Sequence, residues 1–321
     1  MAGTAYRRVL VDSPPYPLDI VRTLLEGTGV DVDAPPRPWA GDDVVGLLVE
    51  RPVSESDFER LPALRVVASN SAGVDHIDIA AAARRQVWVC NVPDYCVDEV
   101  ADTTIALLLS LLRGIVVLDR SVRDGMWNDH AAGPLGRLAG TRLGIVGFGR
   151  IGRAVARRAL AMGFEVWAAD PRITPNTMSE AGVRPVALEE LLRNCTALTL
   201  HVALTSETRG LIGGRELALM PRGSYLINAA RGPLVDQAAL LATLESGQLA
   251  GAALDVLELE PPTAEHPAPR HPHLIVTPHA AWLSSEAERE VYRRATLAVR
   301  AVLEGRVPEG IVSPPSHKNS A

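Results

Sequence analysis

Residues 143–152 read L-G-I-V-G-F-G-R-I-G and decide the fold class of the middle of this chain. Three of their four glycines, at 147, 149 and 152, follow an apolar run and open a helical stretch at 150–162 in the pattern G-x-G-x-x-G. In this pattern Gly147 permits a tight turn, Gly149 lets backbone N–H groups approach a pyrophosphate, and Gly152 lets helix and strand pack closely. The stretch predicts a strand–turn–helix unit that binds a dinucleotide.

An acidic residue at the end of the next strand strengthens this prediction. The strand predicted at 165–169 ends at Asp170, eighteen residues after Gly152, where a carboxylate can bind an adenosine ribose. The alternative, a glycine-rich turn without a ligand, does not explain why strand, helix and acid are in register. Asp170 would repel a 2′-phosphate, so NAD is expected rather than NADP, although Arg172 nearby favours NADP.

Short β-branched runs alternate with helical stretches along most of the chain. This alternation is typical of parallel α/β sheets, and six successive strands make a complete doubly wound nucleotide-binding unit, the Rossmann fold. The strands predicted for that unit are 143–146, 165–169, 197–201, 224–228, 251–255 and 274–277. In the first hundred residues the predicted strands are 8–11, 44–49, 64–68 and 87–90, the predicted helices are 19–26 and 77–85, and 34–38 is a loop.

Two long helices mark the change of domain. Acidic residues from Asp98 onward lead into an apolar run at 105–112, which predicts one long helix reaching Asp119. A second, amphipathic helix is predicted at 284–303 and can return to the first domain, and the tail 313–321 is expected to be frayed.

At 321 residues the chain has room for about two domains. We expect an α/β protein with two doubly wound parallel-sheet domains. A Rossmann NAD-binding domain, residues 98–288, is inserted into a discontinuous flavodoxin-like substrate domain made of residues 1–97 and 289–321.

Composition excludes several classes of protein. The chain is 47% hydrophobic and 22% charged, as in globular proteins, and no apolar run reaches the 18 residues of a membrane span. The formal net charge of -6 gives no general attraction to phosphate. We therefore expect neither nucleic acid nor a membrane as a partner.

Lysine and cysteine usage narrows the chemistry. The only lysine, Lys318, lies close to the C-terminus, which excludes a Walker-A loop or a pyridoxal Schiff base. The three cysteines, at 90, 96 and 195, show no C-x-x-C spacing, which predicts a reduced, cytoplasmic protein. The histidines at 266, 271 and 273 lie among prolines, so we expect a loop and no metal site.

Three strand ends carry groups suited to acid–base chemistry on an anionic substrate. Arg231, Glu260 and His279 each follow a different predicted strand. Because the carboxyl ends of parallel strands line one crevice, these side chains can converge. Arginine offers two parallel hydrogen bonds to a carboxylate, and a carboxylate beside a histidine stabilises its protonated form. Beside a nicotinamide, this set indicates hydride transfer to or from oxo and hydroxy acids.

Several motifs between residues 66 and 306 identify a family. They are N-V-P at 91–93, D-E-V-A-D-T-T at 98–104, the glycine motif, H-V-A-L-T-S-E-T at 201–208, N-A-A-R-G-P-L-V-D at 228–236, and D-x-x-x-x-E-P and P-H. With them the chain resembles the NAD-dependent D-isomer-specific 2-hydroxyacid dehydrogenases. N-V-P, E-V-A-D and especially H-A-A-W at 279–282 resemble the branch of the C-terminal-binding proteins, which are transcriptional corepressors.

The resemblance implies a role for each site residue. Arg231 would bind the substrate carboxylate and carbonyl, His279 would be the general acid–base, and Glu260 would be its partner. Asp255 would hold the nicotinamide carboxamide, and Trp282 would wall the substrate pocket. The expected cofactor-binding residues are Thr104, Gly147, Phe148, Gly149, Arg150, Ile151, Gly152, Asp170, Pro171, Arg172, His201, Thr208, Ala229, Ala230, Arg231, Asp255 and His279.

The chain departs from the family pattern in the substrate loop of the first domain. Where many members carry R-x-G-x-G-x-D, residues 69–75 read S-N-S-A-G-V-D, so that Ser69 replaces an arginine and Ser71 a glycine. Backbone N–H groups of this loop are expected to bind the substrate carboxylate, the alternative being a plain strand-to-helix turn. The expected substrate contacts in the loop are Asn70, Ser71, Ala72 and Gly73.

These residues predict an NAD-dependent oxidoreductase that transfers a hydride between NAD(H) and a small 2-oxo or D-2-hydroxy acid. His279, kept protonated by Glu260, would donate a proton to the carbonyl oxygen, and domain closure would exclude water. A homodimer is expected because the apolar helix at 105–118 and the arm carrying Trp127 exceed what one small domain buries. The alternative function is an NAD-sensing scaffold like the corepressors, against which the complete Arg–Glu–His set argues.

Overall fold

The computed structural model describes residues 7–12 and 17–314. Lys318 and the part of the predicted tail beyond residue 314 lie outside the described residues. Contacts divide the chain into two compact units, Met1–Tyr95 with Ser284–Ala321, and Cys96–Leu283. We call the first the discontinuous unit and the second the central unit.

The helices and strands alternate along almost the whole described chain. The discontinuous unit begins with β1 (Arg8–Val11), α1 (Leu18–Leu25), β2 (Asp31–Asp33), β3 (Val44–Val49), α2 (Glu55–Arg60), β4 (Val66–Ser69), α3 (Ile79–Arg84) and β5 (Trp88–Cys90). The central unit contains α4 (Val97–Leu112), α5 (Ile115–Arg123), β6 (Arg142–Val146), α6 (Arg150–Ala161), β7 (Glu165–Ala169), α7 (Pro175–Glu180), β8 (Arg184–Pro185), α8 (Leu188–Asn194), β9 (Ala197–Leu200), α9 (Gly214–Leu219), β10 (Ser224–Asn228), α10 (Gln237–Glu245), β11 (Leu249–Leu254) and β12 (Leu274–Val276). The discontinuous unit ends with α11 (Ser285–Leu303) and β13 (Ile311–Ser313).

The discontinuous unit is built on a six-stranded sheet in the order β13-β5-β4-β3-β1-β2. Strands β1 to β5 are parallel, in the order of flavodoxin-like sheets, and β13 pairs with β5 in the antiparallel sense. Helix α11 covers one face of this sheet, where Val291 and Tyr292 share an apolar core with Leu48 and Ala68. The carboxyl ends of the parallel strands lie at one edge of the sheet.

The central unit is built on a seven-stranded parallel sheet in the order β12-β11-β10-β9-β6-β7-β8. With β6 as the first strand, this is the strand order of the Rossmann fold plus one additional strand, β12. The winding reverses between β6 and β9, which is where dinucleotides bind in such sheets. The predicted α/β class, with two doubly wound sheets, is confirmed.

The prediction of one helix from Asp98 to Asp119 is wrong. The segment forms α4 and α5, which meet at a bend of 62°. Gly114, at the start of α5, has a φ of 59°, in the left-handed region that glycine adopts without steric strain and that ends a helix. No single helix of the described residues has the length and apolar composition to cross a membrane, and α4 and α5 pass that test only as a bent pair.

Three short strands and helix α2 were not predicted, and no bounds were predicted for helices α7 to α10. Strands β2, β8 and β13 have only two or three residues, too few to show a periodic pattern. Helix α2 is mostly polar and buries only Phe58. Ser313, which the sequence placed at the start of a frayed tail, is the last residue of β13.

Candidate active site

The glycine motif forms the turn between β6 and α6. Gly147 has a φ of 94°, and a Cβ there would lie 2.6 Å from the carbonyl oxygen of His201. A Cβ on Gly152 would lie 2.2 Å from the carbonyl oxygen of Gly147, whereas one on Gly149 would have no atom within 4 Å. Only glycine therefore fits at the first and third positions, and the second leaves exposed backbone at the start of a helix.

Asp170 directly follows β7, at the carboxyl edge of the central sheet, and its carboxylate joins the glycine turn to the turn after β7. Its Oδ2 accepts a hydrogen bond from the backbone N–H of Phe148 at 2.7 Å, and its Oδ1 accepts one from that of Arg172 at 2.8 Å. Each carboxylate oxygen has a second lone pair, so both can accept a further donor such as a ribose hydroxyl. Pro171 and Arg172 lie exposed beside this carboxylate.

Two further groups of the central unit bear on whether NAD fits. Thr104 in α4 is fully buried, and its hydroxyl has no hydrogen-bond partner among the described residues. His201 follows β9, its Nε2 lies 3.0 Å from the hydroxyl of Thr199, and burial lowers the pKa of His201 to about 3, so its imidazole is neutral. Buried neutral polar groups suit an uncharged amide such as that of nicotinamide. Together with the open glycine turn and Asp170, these residues fit NAD.

Arg231 lies in a loop that the buried side chain of Asn228 holds in place. The amide nitrogen of Asn228 donates to the carbonyl oxygen of Arg231 at 2.8 Å, and its amide oxygen accepts from the N–H of Ala230 at 3.0 Å. Nη1 of Arg231 donates to the carbonyl oxygen of Ala230 at 2.8 Å. No role was predicted for Asn228, although an asparagine at a strand end, before a tight turn, is the signal that indicates one.

Gly232 brings this loop against the segment that carries Glu260. A Cβ on Gly232 would lie 2.0 Å from the carbonyl oxygen of Leu257, so the two backbones are in direct contact. The N–H of Leu257 in turn donates to Oε1 of Glu260 at 2.7 Å. Strands β10 and β11 are neighbours in the sheet, and this contact joins the loops that follow them.

His279 and Glu260 form a hydrogen-bonded pair. Nδ1 of His279 lies 2.7 Å from Oε2 of Glu260, and the two side chains are 42% and 35% exposed. Burial pushes the pKa of Glu260 upward, but the bond and charge of His279, the N–H of Leu257 and the charge of Arg231 together hold that pKa below its usual value. Glu260 is therefore a carboxylate at neutral pH. With Nδ1 engaged by Glu260, Nε2 is the ring nitrogen left for a substrate.

Asp255 has a role that the sequence analysis missed. It is fully buried directly after β11, and its carboxylate accepts hydrogen bonds from the hydroxyl of Thr277 at 2.6 Å and from the N–H groups of Ala280 and Ala281 at 2.9 Å. Its carbonyl oxygen accepts the N–H of His279 at 2.7 Å. These four bonds hold His279 at a φ of 53°, a left-handed conformation that is unusual for a residue other than glycine. The contact between Asp255 and nicotinamide stays a prediction.

The remaining predicted residues of the central unit lie around this edge of the sheet. The hydroxyl of Thr208 donates to the carbonyl oxygen of Ala203 at 2.7 Å and accepts from the N–H of Thr205 at 2.8 Å, which closes its own loop. Phe148 and Ala229 are buried, Ile151, Ala230 and Trp282 are half-buried, and Arg150 is exposed at the start of α6.

The predicted substrate loop belongs to the discontinuous unit and follows β4. Within residues 7–12 and 17–314, the backbone N–H groups of Ser71, Ala72 and Gly73 make no hydrogen bond. The hydroxyl of Ser71 donates to the carbonyl oxygen of Gly73 at 2.6 Å, and the amide of Asn91 donates to that of Ala72 at 2.6 Å. Successive unpaired N–H groups form a concave site for an anion, which suits a carboxylate. Ser69, at the position of the family's arginine, is fully buried.

Known proteins match both the sequence and the fold. Residues 105–281 match the family described as D-isomer specific 2-hydroxyacid dehydrogenase, NAD binding domain. A glyoxylate reductase of Korarchaeum cryptofilum is 38% identical over 275 residues, which are 85% of this chain and 82% of that protein. A D-3-phosphoglycerate dehydrogenase of Bacillus subtilis is 39% identical over 253 residues, which are 79% of this chain and 48% of that protein.

Among solved structures, a D-lactate dehydrogenase from Aquifex aeolicus, crystallised with NAD and lactic acid, is 25% identical with a TM-score of 0.87. The similarity covers 97% of this chain and 100% of that one. The family match spans more than half of the chain and includes Arg231, Glu260 and His279. The chain therefore belongs to the D-isomer specific 2-hydroxyacid dehydrogenase family of NAD-dependent oxidoreductases.

Proposed function

We propose that this protein reduces small 2-oxo acids to D-2-hydroxy acids with NADH, and catalyses the reverse oxidation, using Arg231, Glu260 and His279. The observation that carries the proposal is the 2.7 Å pair of His279 and Glu260, next to the segment that packs against the Arg231 loop. An acid–base group and an anion-binding guanidinium at the carboxyl edge of an NAD-binding sheet are the groups that this reaction needs.

His279 is assigned the proton transfer. Glu260, ionised at neutral pH, accepts from Nδ1 of His279 and orients the ring, so that Nε2 can donate a proton to the carbonyl oxygen of a 2-oxo acid. Arg231 offers its guanidinium to the substrate carboxylate and to the negative charge that develops on the carbonyl oxygen. NADH, when bound, supplies the hydride that the carbonyl carbon receives. In the reverse direction, Nε2 takes the proton of the hydroxyl group.

NAD is assigned to the glycine turn and Asp170, with Thr104 and His201 as further contacts. Support comes from the open backbone at Gly149, the spare lone pairs of Asp170 and the unpartnered hydroxyl of Thr104. Asp170 would also repel the additional phosphate of NADP.

The loop of Asn70, Ser71, Ala72 and Gly73 is proposed as an anion-binding element for the substrate carboxylate. The three unpaired N–H groups of Ser71, Ala72 and Gly73 support this assignment. Trp282, half-buried three residues after His279, is proposed to wall the substrate pocket.

The test is a panel of small 2-oxo acids, each incubated with NADH and the purified protein while the absorbance of NADH is followed. Reduction of at least one acid above background, with the D-isomer as product, supports the proposal. A protein that binds NADH tightly and reduces none of them would support the rival function, an NAD-sensing scaffold of the corepressor type.

We also propose a homodimer, on the exposed arm that carries Trp127 and on α5 rather than on the apolar helix α4. Helix α4 buries Ile105, Leu107 and Leu108 within its own unit. In this part of the central unit, the exposed apolar side chains lie instead on α5 and the arm after it, with Met126 56% and Trp127 93% exposed. An apolar groove of about 330 Å³ opens beside α5. Sedimentation of the wild-type protein at micromolar concentration should give a dimer, and a monomer would contradict the proposal.

A reducing, cytoplasmic location is proposed from the cysteines. Cys90, Cys96 and Cys195 are buried and free. Membership of the corepressor-like branch and the absence of nucleic-acid and membrane partners stay predictions.

A further inference from the structure

A group of charged side chains lies at the carboxyl edge of the discontinuous sheet, beside the loop proposed to bind the substrate carboxylate. Val49 and Ser69 are paired residues at the ends of the parallel strands β3 and β4. Glu50 and Asn70 follow them directly, and the N–H of Asn70 continues the ladder to the carbonyl oxygen of Val49 at 3.0 Å.

Both residues project from the face that α11 covers. Side chains alternate along a strand, so Glu50 and Asn70 lie on the same face as Leu48 and Ala68. Those two residues pack in one core with Tyr292 of α11. The hydroxyl of Tyr292 reaches the carboxylate of Glu50, with 3.4 Å between the oxygens, which places Glu50 on this face.

Glu50 forms no salt bridge with any of the described residues. Among residues 7–12 and 17–314, the long hydrogen bond from Tyr292 is the only one that the Glu50 carboxylate accepts. Glu50 is exposed at this edge of the sheet. Partial loss of solvent around its carboxylate raises the pKa of Glu50, the charges of Asp12 and Glu288 raise it further, and the Tyr292 bond and Arg51 only partly oppose this. Glu50 is thus a carboxylate near other carboxylates, in a position that a cation would stabilise.

The nearby arginines are engaged elsewhere. The buried carboxylate of Asp12 accepts two hydrogen bonds from Arg37, at 2.9 and 3.0 Å, and lies 3.2 Å from the guanidinium of Arg51. The same carboxylate accepts the backbone N–H groups of Glu50 and Arg51. Asp12 therefore takes up the positive charge that could otherwise neutralise Glu50.

Asn70 supplies a second, independent indication of a ligand. Its side chain is only 5% exposed, and neither the nitrogen nor the oxygen of its amide has a hydrogen-bond partner among the described residues. Leaving a buried amide unpaired is unfavourable, so such groups mark places where a ligand or water binds. In sequence Asn70 directly precedes Ser71 to Gly73, and its backbone N–H bonds to Val49, the residue before Glu50.

We propose that Glu50 is a specificity-determining residue that selects 2-oxo acids whose side chain carries a cationic group, an ammonium or a guanidinium. The inference rests on the proposed function, because it takes the loop after β4 to hold the substrate carboxylate. A substrate with only a carboxylate would bring one more negative charge beside Glu50 and Glu288. A substrate that also carries a cation compensates this repulsion and gives Glu50 a cationic partner, which none of the described residues provides.

The test compares three 2-oxo acids of similar length with NADH as the reductant. They are 5-guanidino-2-oxopentanoate, whose side chain is cationic, 2-oxohexanoate, whose side chain is neutral, and 2-oxoadipate, whose side chain is anionic. Below, each acid is called guanidino, neutral or anionic after its side chain. The wild-type protein should show a kcat/KM for the guanidino acid at least about 10-fold above that for the neutral acid, with the anionic acid poorest. The difference should lie mainly in KM and should shrink at high salt.

Glu50→Gln should lower the ratio of the guanidino to the neutral acid by about 10-fold or more, because the amide keeps the shape and loses the charge. Glu288→Gln should lower the same ratio by a smaller factor, and Glu50→Lys should reverse the preference toward 2-oxoadipate. The matched control is Glu26→Gln, which should keep the wild-type ratio. Glu26 is an exposed glutamate of the same unit that directly follows α1 and lines an open pocket together with Arg7.

The outcomes separate this inference from the proposed function. If the wild-type protein reduces 2-oxo acids but prefers the neutral or the anionic one, the inference is wrong and the proposed function stands. The inference also fails if Glu50→Gln leaves the ratio unchanged. If none of the acids is reduced, the proposed function fails and the inference fails with it.

Discussion

Replacing Gly232 by alanine tests whether close backbone packing positions the groups assigned to catalysis. Gly232 directly follows Arg231, and its Cα faces the peptide between Leu257 and Glu258. A Cβ would lie 2.0 Å from the carbonyl oxygen of Leu257, 2.1 Å from its carbonyl carbon and 2.5 Å from the nitrogen of Glu258. No rotamer relieves these contacts, because every opposing atom belongs to the backbone.

The size of the effect follows from these distances. Non-bonded heavy atoms are at their optimal separation at about 3.5 Å, so the two loops must move apart by about 1.5 Å. Leu257 anchors Glu260 through a 2.7 Å hydrogen bond, and Glu260 holds His279, so the displacement changes the geometry of both side chains relative to Arg231. A misplacement of about 1 Å can lower a rate about 10²-fold. We expect kcat/KM to fall by about 10²-fold or more in Gly232→Ala.

The assay is steady-state reduction of the best 2-oxo acid of the panel, with circular dichroism and NADH binding measured on the same samples. Gly214→Ala is the matched control, because its Cβ would make only an ordinary contact of 3.8 Å with Ala239, and it should keep wild-type constants. A folded Gly232→Ala protein with wild-type kcat/KM would refute the positioning role of this contact.

Three further predictions concern single side chains. Arg231→Ala should lower kcat/KM by about 10² to 10³-fold and worsen both kcat and KM. Arg231→Lys should recover only part of the loss, because lysine lacks the planar guanidinium group that binds a carboxylate with two hydrogen bonds. Wild-type constants in the alanine variant would place the carboxylate contact elsewhere. The wild-type protein should prefer NADH over NADPH by at least about 10-fold in KM because Asp170 repels the additional phosphate, and equal use of NADPH, through Arg172, would contradict this. His201 has a folded-state pKa of about 3, below the unfolded value near 6.5, so the unfolded state binds the additional proton between these pH values. Its contribution to stability is therefore complete above pH 6.5 and is lost as the pH falls toward 3. Urea titrations should show that His201→Asn loses less stability than the wild type between pH 7 and pH 4, and parallel losses would contradict the assignment.

The sequence predicted those parts of the fold and the site that depend on repeated local patterns. Each apolar run of four or more residues that was predicted as a strand forms one, because a parallel sheet buries both faces of its strands. The position of Arg231, Glu260 and His279 at one edge followed from strand ends alone, since strands of a parallel sheet end at the same side.

Other parts depend on contacts that a local pattern does not show. The break between α4 and α5 depends on one glycine within an apolar run, where a continuous helix and two helices give the same periodicity. Asp255 was assigned to the cofactor because its motif resembles the family, yet its bonds go to residues more than twenty positions away. The unpaired amide of Asn70 and the carboxylate of Glu50 lie twenty residues apart in sequence and become neighbours only when β3 and β4 pair.

The most direct test of the central claim is the kinetics of His279→Ala beside the affinity of the same variant for NADH. General acid catalysis contributes about 10² to 10⁴-fold, so kcat on the best 2-oxo acid should fall by that factor. The dissociation constant for NADH should change far less than kcat, because the predicted contacts of Asp170 and the glycine turn remain when His279, only one of the predicted cofactor-binding residues, is replaced. A folded variant that keeps the wild-type kcat would show that another group transfers the proton, and the assignment of His279 and Glu260 as the acid–base pair would be wrong.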